Sequence, residues 1–126
     1  MKEYVLKETD FLVSQTDEKG KIVFANDDFC KVAGYALEEI IGKPHNIIRH
    51  PDMPKAAFQD LWDTIKTGKS WSGYVKNRSK DGRYYWVYAM VFPSKNEHGE
   101  LRYLSCRRKP SESEIDAAAN LYKTLR

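Results

Sequence analysis

Residues 71–92, Trp71-Ser72-Gly73-Tyr74-Val75-Lys76-Asn77-Arg78-Ser79-Lys80-Asp81-Gly82-Arg83-Tyr84-Tyr85-Trp86-Val87-Tyr88-Ala89-Met90-Val91-Phe92, read as two strands and the turn between them. In the first, Trp71, Gly73, Val75 and Asn77 share one face, and Ser72, Tyr74, Lys76 and Arg78 share the other, because side chains alternate with a period of two. The first face is the one that looks inward. Ser79-Lys80-Asp81-Gly82 places Asp-Gly between strand-like runs, which predicts a tight reversal and antiparallel pairing. The second strand, Tyr84 to Phe92, is apolar on both sides: Tyr84, Trp86, Tyr88, Met90 and Phe92 on one, Tyr85, Val87, Ala89 and Val91 on the other. Both faces therefore need cover, one from the domain's own helices and the other from a terminal segment or a partner.

Toward the C-terminus, Asn96-Glu97-His98-Gly99 turns the chain into a last strand, Leu101 to Arg108. Ser111-Glu112-Ser113-Glu114 then forms a capping box. It opens a helix whose Ile115, Ala118, Ala119 and Tyr122 recur at helical spacing. Toward the N-terminus, Pro54 opens a longer helix with Phe58, Leu61, Trp62 and Ile65 on one stripe, stopped by Gly68. Further back, Phe11–Gln15 and Lys21–Ala25 form a hairpin around Thr16–Gly20. Asn26 is a good N-cap for a short helix carrying Phe29, Val32 and Ala33, Gly34 ends it, and Ala36–Ile41 is a second short helix. The sum is an α+β domain with a five-stranded antiparallel sheet, short helices on one face and a C-terminal helix.

Between the short helices and the long one lies Gly42-Lys43-Pro44-His45-Asn46-Ile47-Ile48-Arg49-His50-Pro51-Asp52-Met53, which holds two of the chain's three histidines. Pro44, Pro51 and Pro54 keep regular secondary structure from persisting through it. An arginine, an aspartate and two imidazoles on such a segment can converge on a bound polar group. The same residues also admit a local role, His45 as a satisfied loop histidine and Arg49 with Asp52 as a surface ion pair worth at most about 1 kcal/mol. The segment is expected to line a pocket between helix and sheet, opposite Trp71 and Asn77.

A chain of 126 residues suits one domain. Its net charge is +3, from 21 Lys and Arg scattered among 18 Asp and Glu, with no basic stripe for nucleic acid. No apolar run approaches the ~20 residues of a membrane helix, and the N-terminus lacks a signal peptide's features, so a cytoplasmic protein without direct membrane insertion is expected. Cys30 and Cys106 lack zinc spacing and fit reduced, packed thiols; no metal site is expected.

The order of elements, with Phe24-Ala25-Asn26-Asp27-Asp28-Phe29, Gly34-Tyr35, Ile41-Gly42 and Lys80-Asp81-Gly82 as landmarks, resembles the PAS domain family over nearly the whole chain. Residues 42–58 followed by Trp71-Ser72-Gly73, Lys76-Asn77-Arg78 and Tyr85-Trp86-Val87 resemble the PAS sensor of bacterial aerotaxis receptors. That resemblance implies a non-covalent FAD whose redox state is relayed to a chemotaxis receptor and its histidine kinase. It places the flavin-binding motif on Arg49, His50 and Asp52, with His45 and Trp71 beside the ring and Asn77 at its edge. Asn26 also matches, although capping alone explains it. His45 stands near the point where photoreceptor relatives carry an adduct-forming cysteine, and Val87 replaces a second flavin-contacting asparagine, so adduct photochemistry is not expected. The histidine usual in haem-binding relatives has no counterpart on the longer helix.

The organisation expected is a PAS sensor over residues 1–110 and, over 111–126, a helix starting the linker to a signalling partner. The partner is a fused chemoreceptor signalling domain or a membrane-bound receptor, which would bring the domain to a membrane, and a homodimer through the outer sheet face is the further expectation. Beside the FAD redox sensor stand a cofactor-free PAS interaction module and a flavoenzyme. The last is disfavoured because no general base paired with a substrate site is recognisable.

Overall fold

The computed structural model describes residues 2–125. Five strands, β1 (Phe11–Thr16), β2 (Ile22–Ala25), β3 (Trp71–Arg78), β4 (Tyr84–Lys95) and β5 (Leu101–Arg108), form one antiparallel sheet in the order β2-β1-β5-β4-β3. Helices α1 (Asp27–Ala33), α2 (Leu37–Ile40) and α3 (Lys55–Lys66) lie between β2 and β3 in the chain, and α4 (Glu112–Leu125) follows β5. The proline-punctuated segment admits one 3-10 turn, His45–Ile48.

The core lies between the helices and the inner face of the sheet, where Leu12, Phe29, Ile40, Ile48, Tyr85 and Val87 are fully enclosed. The alternation read for β3 and β4 sets this face: Asn77 pairs with Tyr85, Val75 with Val87 and Gly73 with Ala89. β4 runs past the expected Phe92 to Lys95 and includes Pro93. Proline is tolerated there because β3 ends opposite Val91, so beyond that point β4 is paired on one side only, with β5.

The outer face shows which of the two expected covers the chain provides. Tyr122 of α4 stacks on Trp86 at 6.3 Å between centroids, and its hydroxyl donates to the Tyr74 carbonyl at 2.5 Å. The Tyr74 hydroxyl donates to Glu114, whose carboxylate also accepts from the Ser111 amide in the expected capping box. Those bonds hold Glu114 down at about 2, well below the usual carboxylate range. Where β5 ends, the N-terminal segment continues the pairing: Tyr4 N donates to the Tyr84 carbonyl at 2.8 Å. The chain's own ends thus close the outer face over Trp86, while Tyr88, Met90 and Phe92 stay half-buried and Phe11 and Phe24 exposed.

Candidate functional site

A cavity of about 270 Å³ opens between α3, the 3-10 turn and the inner sheet face. Of the seven residues singled out in the sequence, His45, Arg49 and Asn77 line it. Asn26, His50, Asp52 and Trp71 lie elsewhere, each for a definable reason.

Asn26 caps α1 and ties it to β1. Its Oδ1 accepts from Phe29 N and Val13 N, both at 3.0 Å, and its Nδ2 donates to the Phe11 carbonyl at 2.9 Å. Trp71 folds back along its own strand: a Cβ on Gly73 would meet the indole at 2.7 Å, so only glycine allows this path. Its Nε1 donates to Asp60 of α3 at 2.8 Å. His50 and Asp52 grip the free edge of β3 at Lys76. The His50 amide donates to the Lys76 carbonyl, the Lys76 amide donates to Met53 Sδ at 3.3 Å, and Lys76 Nζ donates to Asp52 at 2.8 Å. Asp52 N donates to His50 Nδ1 at 3.0 Å, which fixes the imidazole. An isolated bridge between Arg49 and Asn77 completes this clasp, so the sheet's exposed edge is covered.

Arg49 turns the other way. Its guanidinium lies 3.6 Å from the centroid of Phe58 on α3, and burial lowers its pKa from the usual arginine value. Arg49 Nε and Asn77 Nδ2 are buried donors without a hydrogen-bond partner within the described chain. Leaving such a group unmatched costs about 1–3 kcal/mol, more for a charged one, so two of them lining one cavity point to an acceptor that the chain does not supply.

The sequence reading missed Arg107. It sits on the inner face of β5, 5% exposed, in register with Ala89 and Leu12. Its Nη1 donates to Ser14 Oγ at 3.1 Å and its Nη2 to His45 Nε2 at 2.8 Å. Accepting from a guanidinium requires an unprotonated Nε2. Burial first, and the neighbouring Arg107 charge second, push the His45 pKa well below its ordinary value, which keeps the ring neutral. Burial brings Arg107 down to about 10, still charged at neutral pH. The signal for Arg107 was the alternation Tyr103, Ser105, Arg107, which puts all three on the face shared by Ala89 and Val91.

Lys19, Arg49 and Arg107 supply the charges of the cavity wall, and none of its lining residues is acidic. Val75, Ala89, Val91, Leu61, Trp62 and Ile65 supply an apolar floor and roof. A flat ring between apolar surfaces, with acceptor atoms at its edge and negative charge on or beside it, matches this donor set. A flavin has that chemistry, and the residues present fit it.

A sheet of this order, helices over one face and a cation-walled cavity between them define a sensory domain of the PAS class. The family described as PAS fold matches residues 22–107, and the chain belongs to it. It is a PAS domain of the aerotaxis-receptor type: it is 51% identical over 114 residues to the aerotaxis receptor of Escherichia coli (strain K12), covering 90% of this chain and 22% of that protein. The nitrogen fixation regulatory protein of Klebsiella oxytoca is 29% identical over 86% of this chain and 22% of its own length. The chain thus spans about a fifth of the length of these relatives. Among solved structures, a light-oxygen-voltage domain studied with a flavin analogue gives a TM-score of 0.73 at 23% identity, covering 92% of this chain and 87% of that one. The light state of the Aureochrome1 LOV photoreceptor gives 0.74 at 22% identity, covering 92% of each. At that identity these two establish the fold alone.

Proposed function

We propose that the cavity holds the ring of a non-covalent flavin, FAD, and that the domain reports its redox state to a signalling partner. The observation that carries this is the pair of buried donors, Arg49 Nε and Asn77 Nδ2, lining one carboxylate-free cavity without a partner within the described chain. At about 270 Å³ the cavity lies at the low end of ligand sites. It suits a ring system, with the adenosine half of FAD outside. His45, Arg49 and Asn77 contact the ligand, joined by Arg107. His50 and Asp52 act by fixing the segment that presents Arg49, while Asn26 and Trp71 act through the fold.

When bound, the flavin supplies the redox change, and the chain supplies orientation and electrostatics. Arg49 and Arg107 offset negative charge at the ring. The Asn77 amide donates from one end and accepts at the other, so a change of protonation at the ring edge favours its reorientation. β3, which carries Asn77 on its inner face, carries Tyr74 on its outer face, where α4 is held. A shift of β3 therefore reaches α4, the helix that leads from the sensor (residues 1–110) through residues 111–126 to a chemoreceptor signalling domain or membrane-bound receptor and its histidine kinase. On this reading the role is sensing, not catalysis, and a second copy of the chain on the outer sheet face belongs to the same proposal.

The test is an absorption spectrum of freshly purified protein, a dithionite titration and chromatography of what heat releases. Flavin bands that bleach, with FAD released, are expected. A colourless protein that fails to take up added FAD removes the proposal. It would leave the cofactor-free interaction module, favoured by the half-buried aromatic side chains Tyr88 and Phe92 beside exposed Phe11 and Phe24.

A further inference from the structure

The two chain ends that close over Trp86 on the outer face leave a groove of about 230 Å³ between them. One wall is the N-terminal segment and the other the first turns of α4. Leu6, Trp86, Pro110 and Ile115 make its apolar lining. Both walls are held in place by the chain itself. On one side Tyr4 N donates to the Tyr84 carbonyl at 2.8 Å and Tyr84 N donates to the Lys2 carbonyl at 3.1 Å, which fixes Glu3 beside β4. On the other, α4 is fixed through Tyr122 on Trp86 and through Glu114, which accepts from the Ser111 amide and the Tyr74 hydroxyl.

The charge of this groove is the reverse of the inner cavity's. Glu3, Glu112 and Asp116 line it, all exposed, and none of them makes an ion pair among the described residues. Its one basic lining residue, Lys109, is paired with Glu8 at 3.5 Å instead. Glu112 has a local reason to be there, since a carboxylate in the first turn of a helix complements the helix dipole. Asp116, one turn further on and on the same side of α4, and Glu3, on the other wall, have no such reason. A chain of net charge +3 thus gathers three carboxylates around one apolar groove. Like charges so gathered repel one another, and a cation placed among them relieves this.

We propose that this groove docks a basic segment of a partner protein, one that lays an apolar side chain on Trp86 and Ile115 and sets an arginine between Glu3 and Asp116. Arginine suits the place because its rigid donor fork matches carboxylate geometry. A segment so bound touches the N-terminal segment and α4 at once and ties the two chain ends together. The groove is small, so the contact is weak and transient. The assignment is read from the outer face alone and does not depend on the flavin.

The test is fluorescence anisotropy of the chain, carrying the cofactor with which it is purified, against a fluorescein-labelled peptide of alternating leucine and arginine, with a leucine-and-glutamate peptide beside it. The arginine peptide is expected to bind and the glutamate peptide not to. Glu3→Gln and Asp116→Asn should each weaken binding about threefold, as exposed charge pairs do, and the two together with Glu112→Gln by more than about tenfold. Glu97→Gln removes the same charge from an exposed position in the turn between β4 and β5 and should leave binding unchanged. The inference is overturned if the arginine peptide fails to bind, if the glutamate peptide binds as well, or if Glu97→Gln weakens binding as much as Glu3→Gln. A dimer in sedimentation that Glu3→Gln dissociates, with peptide binding unchanged, overturns it in favour of a second copy of the chain. Flavin absorbance is read in the same samples, so failure to bind peptide with the flavin retained removes the docking groove and leaves the flavin reading in place.

Discussion

His45 and Arg49 line the cavity, whereas His50, Asp52 and Met53, the next few residues of the same segment, hold the free edge of β3 at Lys76. Each half carries one histidine and one further charged side chain, Arg49 in the first and Asp52 in the second. In the clasp the polar groups meet one another: His50 Nδ1 accepts from Asp52 N, and Asp52 pairs with Lys76. In the cavity, Arg49 stacks on Phe58 and its Nε is buried without a partner within the described chain. The difference teaches that side chains from one motif divide between holding the fold and meeting a ligand according to whether the chain satisfies them. It also predicts that substitutions in the two halves separate into effects on affinity and effects on stability.

The largest separation is expected at Arg49. Arg49→Ala should weaken flavin binding about 100-fold, since a hydrogen bond to a charged group contributes ~1.5–3 kcal/mol and the loss of the flat stack adds to it. Arg49→Lys should recover little of this, because an ammonium offers neither the fork nor the planar stack. Fluorescence titration reads both. An affinity within a few-fold of the unaltered chain for Arg49→Ala would mean that its buried donor faces no ligand, and the contrast between the halves would collapse.

A smaller effect is expected at His45, and it appears as a function of pH. Its pKa is held well below the ordinary 6.5 by burial and by Arg107. Above that value both folded and unfolded chains carry a neutral ring, and its contribution to stability is complete. As pH falls below 6.5 the unfolded chain takes up a proton that the folded one refuses, so stability declines by up to about 1.4 kcal/mol per pH unit. His45→Gln keeps an acceptor for Arg107 but has no proton to gain. Urea midpoints between pH 7 and pH 5 should therefore fall less steeply for the variant than for the unaltered chain. Parallel slopes would show that the ring titrates normally and that Arg107 does not hold it neutral.

The strands were legible because their side chains alternate: the parity of β3 placed Asn77 inward, and the register confirms it opposite Tyr85. Parity on β5 equally marks Arg107, but a basic residue next to the last of a strand reads as solvent-facing until its neighbours are known to be buried. The proline-rich segment was legible as irregular, and its irregularity is what hid the rest. Without a helical or strand period, nothing in the order His45, Arg49, His50, Asp52 states which side each takes. Trp71 was placed inward correctly, yet its ring lies over Gly73 toward Asp60 and is not among the cavity's lining residues. A strand's period fixes which face a side chain leaves from, and a long side chain at a strand's end has room to choose its direction. Asn26 had two readings in the sequence, and the contacts to Val13, Phe29 and Phe11 engage both ends of its amide in the fold.

The smallest effect is expected at Asp52, and it is the one that tests the boundary between the halves. Its side chain is 47% exposed, and its ion pair with Lys76 at 2.8 Å is correspondingly screened. Asp52→Asn should cost at most about 1 kcal/mol in a urea titration, less at high salt. Flavin affinity should stay within about twofold, because Arg49 is presented by a backbone that the amide bridge to Asn77 and the His50 amide also hold. A loss of affinity comparable to that of Arg49→Ala, with stability unchanged, would move Asp52 from the clasp to the ligand. The segment would then act as one unit instead of two, and the clasp's satisfied contacts would have to be remade around a bound flavin.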